Sequence, residues 1–175
     1  DCNVAAVETN ELTAKTFSVE DAHPDWCGGC GDFGILSAVK QALAKLGRSP
    51  HEIAVISGIG CAGKLPHYIG TYGLHTLHGR ALNVATGVKV ANSKLEVLVA
   101  GGDGDGYGIG AGYLVNSGRR NVDFTYLVHK NGVYGLTKGQ ESPTMRRGDQ
   151  TQAMDEQAIQ TNVKPNGHSI HKGYT

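Results

Sequence analysis

The chain has no excess of charge of either sign: 16 Lys and Arg stand against 16 Asp and Glu in 175 residues. Without a one-signed field, neither nucleic acid nor an anionic membrane is an expected partner. No apolar run approaches the ~20 residues of a membrane-spanning helix, which removes a membrane span from the expectations. No leader pattern is visible and the first residue is Asp1, as in a processed or excised chain. Cysteine is scarce, with only Cys2, Cys27, Cys30 and Cys61. That density argues against a disulfide scaffold and for a reducing, cytoplasmic setting, where a CxxC is more often catalytic or metal-binding. Charged residues at 18% and clear apolar runs argue against disorder. What abounds is glycine, 26 residues, about twice the average usage. Glycine belongs where backbone turns sharply or lies close to another group.

The length suits one domain with a real core. Residues 1–22 read as a polar lead-in, 23–148 as the structured domain and 149–175 as a polar segment with no apolar strand. Asp32 is a candidate N-cap for a helix in which Phe33, Leu36, Val39, Leu43 and Leu46 recur at helical spacing until Gly47. "IAVIS" (residues 53–57) and "EVLVA" (96–100) are short apolar runs that predict buried strands, and "VDFTYLV" (122–128) predicts a third strand. An aromatic and histidine-rich stretch leads to Arg80. "ALNVATGVKVAN" predicts a helix interrupted at Gly87, and a short helix is expected near residues 110–117. Strands alternating with helices predict an α/β fold, a mostly parallel sheet flanked by helices. Ligands of such sheets bind beyond the carboxyl ends of the strands, and all three runs there enter a glycine-bearing loop.

Two of those loops imitate nucleotide motifs. "GIGCAGKL" (58–65) fits GxxxxGK, but Leu65 stands where a P-loop needs Ser or Thr, and Pro66 follows. "GGDGDGYGIGAG" (101–112) has glycine at every even position and never offers the spacing of GxGxxG. It does set Asp103 and Asp105 at a strand's carboxyl end, where an oxygen-seeking cation is held. Twenty-six residues separate Gly104 from Asn131, which ends the next strand. Adjacent parallel strands would bring Asp103 and Asn131 together, and with a backbone carbonyl they make half a shell for Mg²⁺. A GDG followed at this distance by Asn resembles the thiamine diphosphate motif. Cys27 and Cys30 precede the first helix and Cys61 lies in the loop after the first strand, so three thiolates offer most of a [4Fe–4S] or zinc site.

"WCGGCGDFGIL", "SGIGCAGKLPHYIGTYGLHTLHGRALNVATG", "GGDGDGYGIGAG" and "RRNVDFTYLVHKNGVYGLTKGQESPT" together resemble the β subunit of 2-oxoacid:ferredoxin oxidoreductases, especially the two-subunit archaeal type. The resemblance runs in register from His23 to Gly148. It implies a thiamine diphosphate-binding fold with Mg²⁺ held by Asp103, Asn131 and the carbonyl of Val133. Gly102, Gly104, Asp105, Gly135, Leu136 and Thr137 would surround the diphosphate, with Trp26, Cys61 and His78 near the cofactor. Cys27, Cys30 and Cys61 would ligate a [4Fe–4S] cluster whose fourth cysteine, in this family, comes later in the same subunit. Lys64, Leu136 and Lys138 occupy the positions that recognise the 2-oxoacid. The implied reaction is oxidative decarboxylation with coenzyme A, giving acyl-CoA and CO₂, with ferredoxin as electron acceptor. The resemblance also implies a partner, an α subunit that in this family supplies the glutamate activating the cofactor; no glutamate here sits in a cofactor motif.

The chain departs from the family at Gly28 (usually proline), Asn83 (commonly proline) and Lys130 (usually Asn or Asp). Thr175 precedes the fourth cysteine, which implies an incomplete subunit, and Cys2 reads as a bystander. His67 and His75 read as satisfied loop residues. Two other functions suit the same residues: a thiamine diphosphate decarboxylase or carboligase without a cluster, and a non-catalytic module in which three cysteines hold zinc.

Overall fold

The computed structural model describes residues 12–149 and Thr151. Cys2, most of the lead-in and nearly all of the polar segment from 149 onward lie outside the described residues.

Four strands form one parallel sheet in the order β2-β1-β3-β4: β1 (Ile53–Ser57), β2 (Tyr72–His75), β3 (Glu96–Gly102) and β4 (Thr125–His129). β1 is buried along its whole length. Its side chains alternate between two cores, as the period-2 pleat requires. Ile53 and Val55, with Ala100, meet Leu36, Val39 and Leu43 of α1 (Gly31–Leu46), together with Phe17, Leu65 and Ile69. Ile56, Val97 and Val99 point the other way, onto Ala81, Leu82 and Ala85 of α2 (Ala81–Ala91). Tyr113 and Leu114 of α3 (Ala111–Arg120) close that second layer. Each fully buried Val, Leu or Ile contributes ~1.5–3 kcal/mol, so the alternation specifies both register and layering.

The three strands predicted from apolar runs are present, the last shifted to Thr125–His129. β2 was not foreseen, because it is an edge strand exposed at every position and carries no buried face to pattern it. α1 begins one residue before Asp32, with Cys30 at the N-cap position, so Asp32 is not the cap; it lies buried in the first turn. Gly47 ends the helix at φ 72°. α2 runs through Gly87 without a break. After β3 the chain makes a wide π-helical turn, Gly104–Ile109, closed by Gly110 N donating to Asp105 O at 2.8 Å. Such turns frequently occur at functional sites. A two-residue antiparallel pair, β5 (Val133–Tyr134) and β6 (Gln140–Glu141), folds the segment after β4 back on itself. Among the described residues no helix is long and apolar enough to cross a membrane.

Candidate functional site

Parallel strands deliver every βα loop to one end of the sheet, and a cavity of about 340 Å³ opens there. Gly60 to Ala62 line it from the loop after β1, His78 from the loop after β2, and Gly102, Gly104 and Asp105 from the end of β3. His129 to Asn131 and Val133 to Thr137 line it from β4 and beyond, and Cys30 to Asp32 from the start of α1. Asp103, between the lining residues Gly102 and Gly104 just after β3, is 1% exposed and is not itself part of the lining.

Asp103 is held by one oxygen. Its Oδ2 accepts hydrogen bonds from the Gly132 amide at 3.0 Å, from Ser142 Oγ at 2.5 Å and from Thr144 Oγ1. Its Oδ1 is buried and has no hydrogen-bond partner. Burial pushes this carboxyl up, but hydrogen bonds from Ser142, Thr144 and the Gly132 and Asn131 backbone outweigh it and hold the group below its ordinary range. A buried, ionised carboxylate with one oriented and one open oxygen fits a hard divalent cation. Asn131 lies one β-ladder away and accepts the Val133 amide on Oδ1 at 3.0 Å, which leaves that oxygen a second lone pair.

Asp105 does something different with its neighbours. Its Oδ1 accepts from the Ile59 amide at 3.0 Å, the Gly79 amide at 2.7 Å and His78 Nδ1 at 2.7 Å. It therefore ties the loops after β1 and β2 to the end of β3, and it positions His78 at the cavity. Gly58 is required by this knot, since a Cβ there would lie 2.0 Å from Asp105 Oδ2. Gly104 is required likewise, because its Cβ would meet the Tyr134 ring at 2.4 Å, and Tyr134 donates from its hydroxyl to Gly104 O at 3.1 Å.

The three sequence-predicted cysteines are free thiols. Cys30 and Cys61 line the cavity, and Cys27 is exposed nearby. Burial, then the Asp32 carboxylate, push the Cys61 thiol up. Among the described residues no three His, Cys, Asp or Glu side chains are gathered closely enough to hold a metal ion. The donor chemistry suits a thiophilic centre, but the shell is not assembled. Trp26 packs in the core and donates from Nε1 to Cys61 O at 2.9 Å, so it braces the cysteine loop rather than lining the cavity.

Of the residues predicted to recognise a 2-oxoacid, Leu136 lines the cavity and Lys64 and Lys138 do not. Lys64 Nζ donates to Asp25 Oδ2 at 2.8 Å, and Tyr68 donates to the other oxygen of Asp25 at 2.6 Å. Lys64 and Tyr68 hold the Asp25 carboxyl down at about 2, and Asp25 in turn pushes the Lys64 ammonium up. Lys138 ends the turn Gly135–Thr137 with φ 80°. His67 and His75 pair with each other at 2.8 Å, away from the cavity lining.

Four residues of the site escaped sequence reasoning: Ser142, Thr144, Asp32 and His129. Ser142 and Thr144 lie in the "SPT" triplet, whose hydroxyls announce nothing until the fold carries them to Asp103. His129 Nδ1 donates to Asp32 Oδ1 at 2.7 Å across 97 residues of sequence.

Comparison with known proteins agrees with this geometry. Residues 57–171 match the family of thiamine pyrophosphate enzymes, C-terminal TPP binding domain. The 2-oxoacid:ferredoxin oxidoreductase subunit beta of Saccharolobus solfataricus is 56% identical over 153 residues, 86% of this chain and 50% of that one. The 2-oxoglutarate oxidoreductase subunit KorB of Mycobacterium tuberculosis is 46% identical over 133 residues, 76% of this chain and 36% of that one. The solved structure of 2-oxoglutarate:ferredoxin oxidoreductase from Magnetococcus marinus, with 2-oxoglutarate, coenzyme A and succinyl-CoA bound, superposes with a TM-score of 0.79 at 48% identity. That match covers 83% of this chain and 50% of the other. The chain thus spans about half the length of these archaeal curated relatives. Its resemblance to the β subunits of 2-oxoacid:ferredoxin oxidoreductases extends through sequence and fold alike. With the cavity at the strands' carboxyl ends and the half-open Asp103 carboxylate in place, the chain belongs to the thiamine pyrophosphate enzymes, through their C-terminal TPP-binding domain.

Proposed function

We propose that the chain is the cofactor-binding part of the β subunit of a 2-oxoacid:ferredoxin oxidoreductase, which converts a 2-oxoacid and coenzyme A to acyl-CoA and CO₂ and delivers electrons to ferredoxin. The observation that carries this is the oriented Asp103 carboxylate, its Oδ2 held by the Gly132 amide next to Asn131 and its Oδ1 buried without a partner. Asp103, Asn131 and the Val133 carbonyl would hold Mg²⁺. Gly102 and Gly104 would let the backbone approach the diphosphate, with Asp105, Gly135, Leu136 and Thr137 around it. Bound there, thiamine diphosphate supplies a nucleophilic carbon and a place for the electron pair left when CO₂ departs. Cys27, Cys30 and Cys61 would hold a [4Fe–4S] cluster, which supplies one-electron transfer; free thiols in this number suit a cytoplasmic compartment.

Lys64 and Lys138 would take the substrate carboxylate, with Leu136 against its carbon chain. For Lys64 this means exchanging one carboxylate, that of Asp25, for the carboxylate of the substrate. The activating glutamate would come from an α subunit.

The test is anaerobic purification of the full-length subunit with its α partner. Broad visible absorption bleached by dithionite, bound iron and sulfide, and 2-oxoacid- and coenzyme A-dependent reduction of a viologen dye are expected. Stoichiometric zinc without sulfide, or decarboxylation that reduces no dye, would replace this function with one of its two rivals.

A further inference from the structure

Lys130 has no part in any role above. It follows β4 directly, stands before Asn131 and is exposed. It also lines the cavity, where it is the single lysine or arginine among the lining residues; Lys64 and Lys138 are not part of that lining. Three carboxyl groups surround the same space: Asp32 and Asp105 line it, and Asp103 lies between the lining residues Gly102 and Gly104. Each lining carboxyl is engaged by a histidine at 2.7 Å, Asp32 by His129 and Asp105 by His78. Among the described residues no ion pair takes up Lys130.

The sheet sets where this charge stands. Gly102 and His129 are the last ladder pair of β3 and β4. Asp103 follows the one and Lys130 the other, so the carboxylate that would hold a cation and the unpaired ammonium leave adjacent strands at the same end. Lys130, Asn131 and Val133 also line a second cavity of about 440 Å³, shared with Arg146 and Asp149. That side offers the ammonium one like and one opposite charge, whereas the first cavity offers it carboxyl groups alone.

We propose that Lys130 binds the diphosphate of the ligand that the first cavity takes, as a point charge added to that of the metal ion. The proposal rests on the thiamine diphosphate reading above and adds a contact to it. A diphosphate carries more negative charge than one divalent ion offsets, and the carboxyl groups around the cavity oppose its entry. A lysine ammonium is a compact charge on a flexible stem and an established phosphate binder. The Lys130 side chain is exposed and unpaired among the described residues, so it meets the ligand without rearranging any buried group. The role is binding alone and moves no proton.

Calorimetric titration of the assembled, full-length protein with thiamine diphosphate and Mg²⁺ tests this. Lys130→Gln should weaken binding about tenfold, between the few-fold effect of an exposed ion pair and the ~100-fold effect of a buried charged hydrogen bond. Lys130→Arg, which keeps the charge, should recover most of that loss. Inorganic pyrophosphate with Mg²⁺ should show the same loss, and thiamine, which has no phosphate, should bind the wild type and Lys130→Gln alike. Added KCl should weaken thiamine diphosphate binding more steeply in the wild type than in Lys130→Gln, because the charge lies where salt can screen it. Arg146→Gln, which removes a cation from the second cavity only, should leave the affinity unchanged. Unchanged affinity in Lys130→Gln, or an equal loss in Arg146→Gln, overturns the proposal while leaving the site intact. A raised KM for the 2-oxoacid in Lys130→Gln with diphosphate affinity preserved would assign the cation to the substrate and overturn it as well. Failure of the wild-type protein to bind thiamine diphosphate would instead overturn the reading beneath it.

Discussion

Ser142→Ala is the substitution that most directly probes how Asp103 is presented. The Ser142 hydroxyl is 4% exposed and donates to Asp103 Oδ2 at 2.5 Å. Hydrogen bonds to a charged group contribute ~1.5–3 kcal/mol each. Two other donors, the Gly132 amide and Thr144 Oγ1, remain after the substitution, so the stability loss should lie near the lower end, about 1.5 kcal/mol. The larger effect should fall on the metal. A carboxylate freed from one of its three anchors can rotate and share both oxygens, and loss of such an outer contact typically costs ~10–100-fold in metal affinity. Ser142→Ala together with Thr144→Val should exceed the sum of the single changes, because only the Gly132 amide would then fix the carboxylate. Acid sensitivity supplies an independent sign. These donors hold the Asp103 carboxyl below its unfolded value, so their contribution to stability is present above the unfolded carboxylate range and is lost as pH falls through the folded pKa. Removing Ser142 takes away one of the contacts that offset burial, and acid unfolding should begin at a higher pH. The assay is calorimetry of Mg²⁺ and thiamine diphosphate binding beside thermal melts. Wild-type metal affinity in the double variant would refute the claim that Oδ2 is the anchored oxygen and Oδ1 the one offered to the cation.

Asp103→Ala should abolish Mg²⁺-dependent thiamine diphosphate binding, and Asn131→Ala should weaken it less, by the same calorimetry. Cys27→Ser or Cys30→Ser should lose iron and sulfide from anaerobically prepared protein while the melting temperature stays close to wild type, since neither belongs to the buried core. Lys64→Ala, in the assembled enzyme, should raise KM for the 2-oxoacid more than it lowers kcat, the mark of uniform binding; equal kinetics would return Lys64 to a purely surface role beside Asp25.

What was legible in the sequence followed from short-range pattern. β1 declared itself because all five of its residues are buried, and the GDG turn and Asn131 declared themselves because adjacent parallel strands convert a sequence spacing into proximity. β2 stayed hidden because it contributes hydrogen bonds and no buried side chain. The glycine at every even position from 102 to 112 looked like one device and has several causes, among them the Tyr134 ring against Gly104 and the backbone of the π-helical turn against Gly110.

The polar contacts that shape the site were illegible for a different reason. Ser142 meets Asp103 across 39 residues, Asp105 meets Ile59 across 46, and His129 meets Asp32 across 97. No periodicity marks such pairs, since each joins a strand end or helix start to a distant loop. Asp32 looked like a helix cap because an acid before an apolar run usually is one. The structure moves the start of the helix to Gly31 and frees the carboxylate to hold His129. A single-residue shift of a helix boundary, within the ordinary uncertainty of reading one, thus separates a capping residue from one that orients a side chain of the site. The chemistry-bearing residues were visible as types at the correct strand ends; the neighbours that set which of their atoms stay open became visible only once the sheet had brought them together.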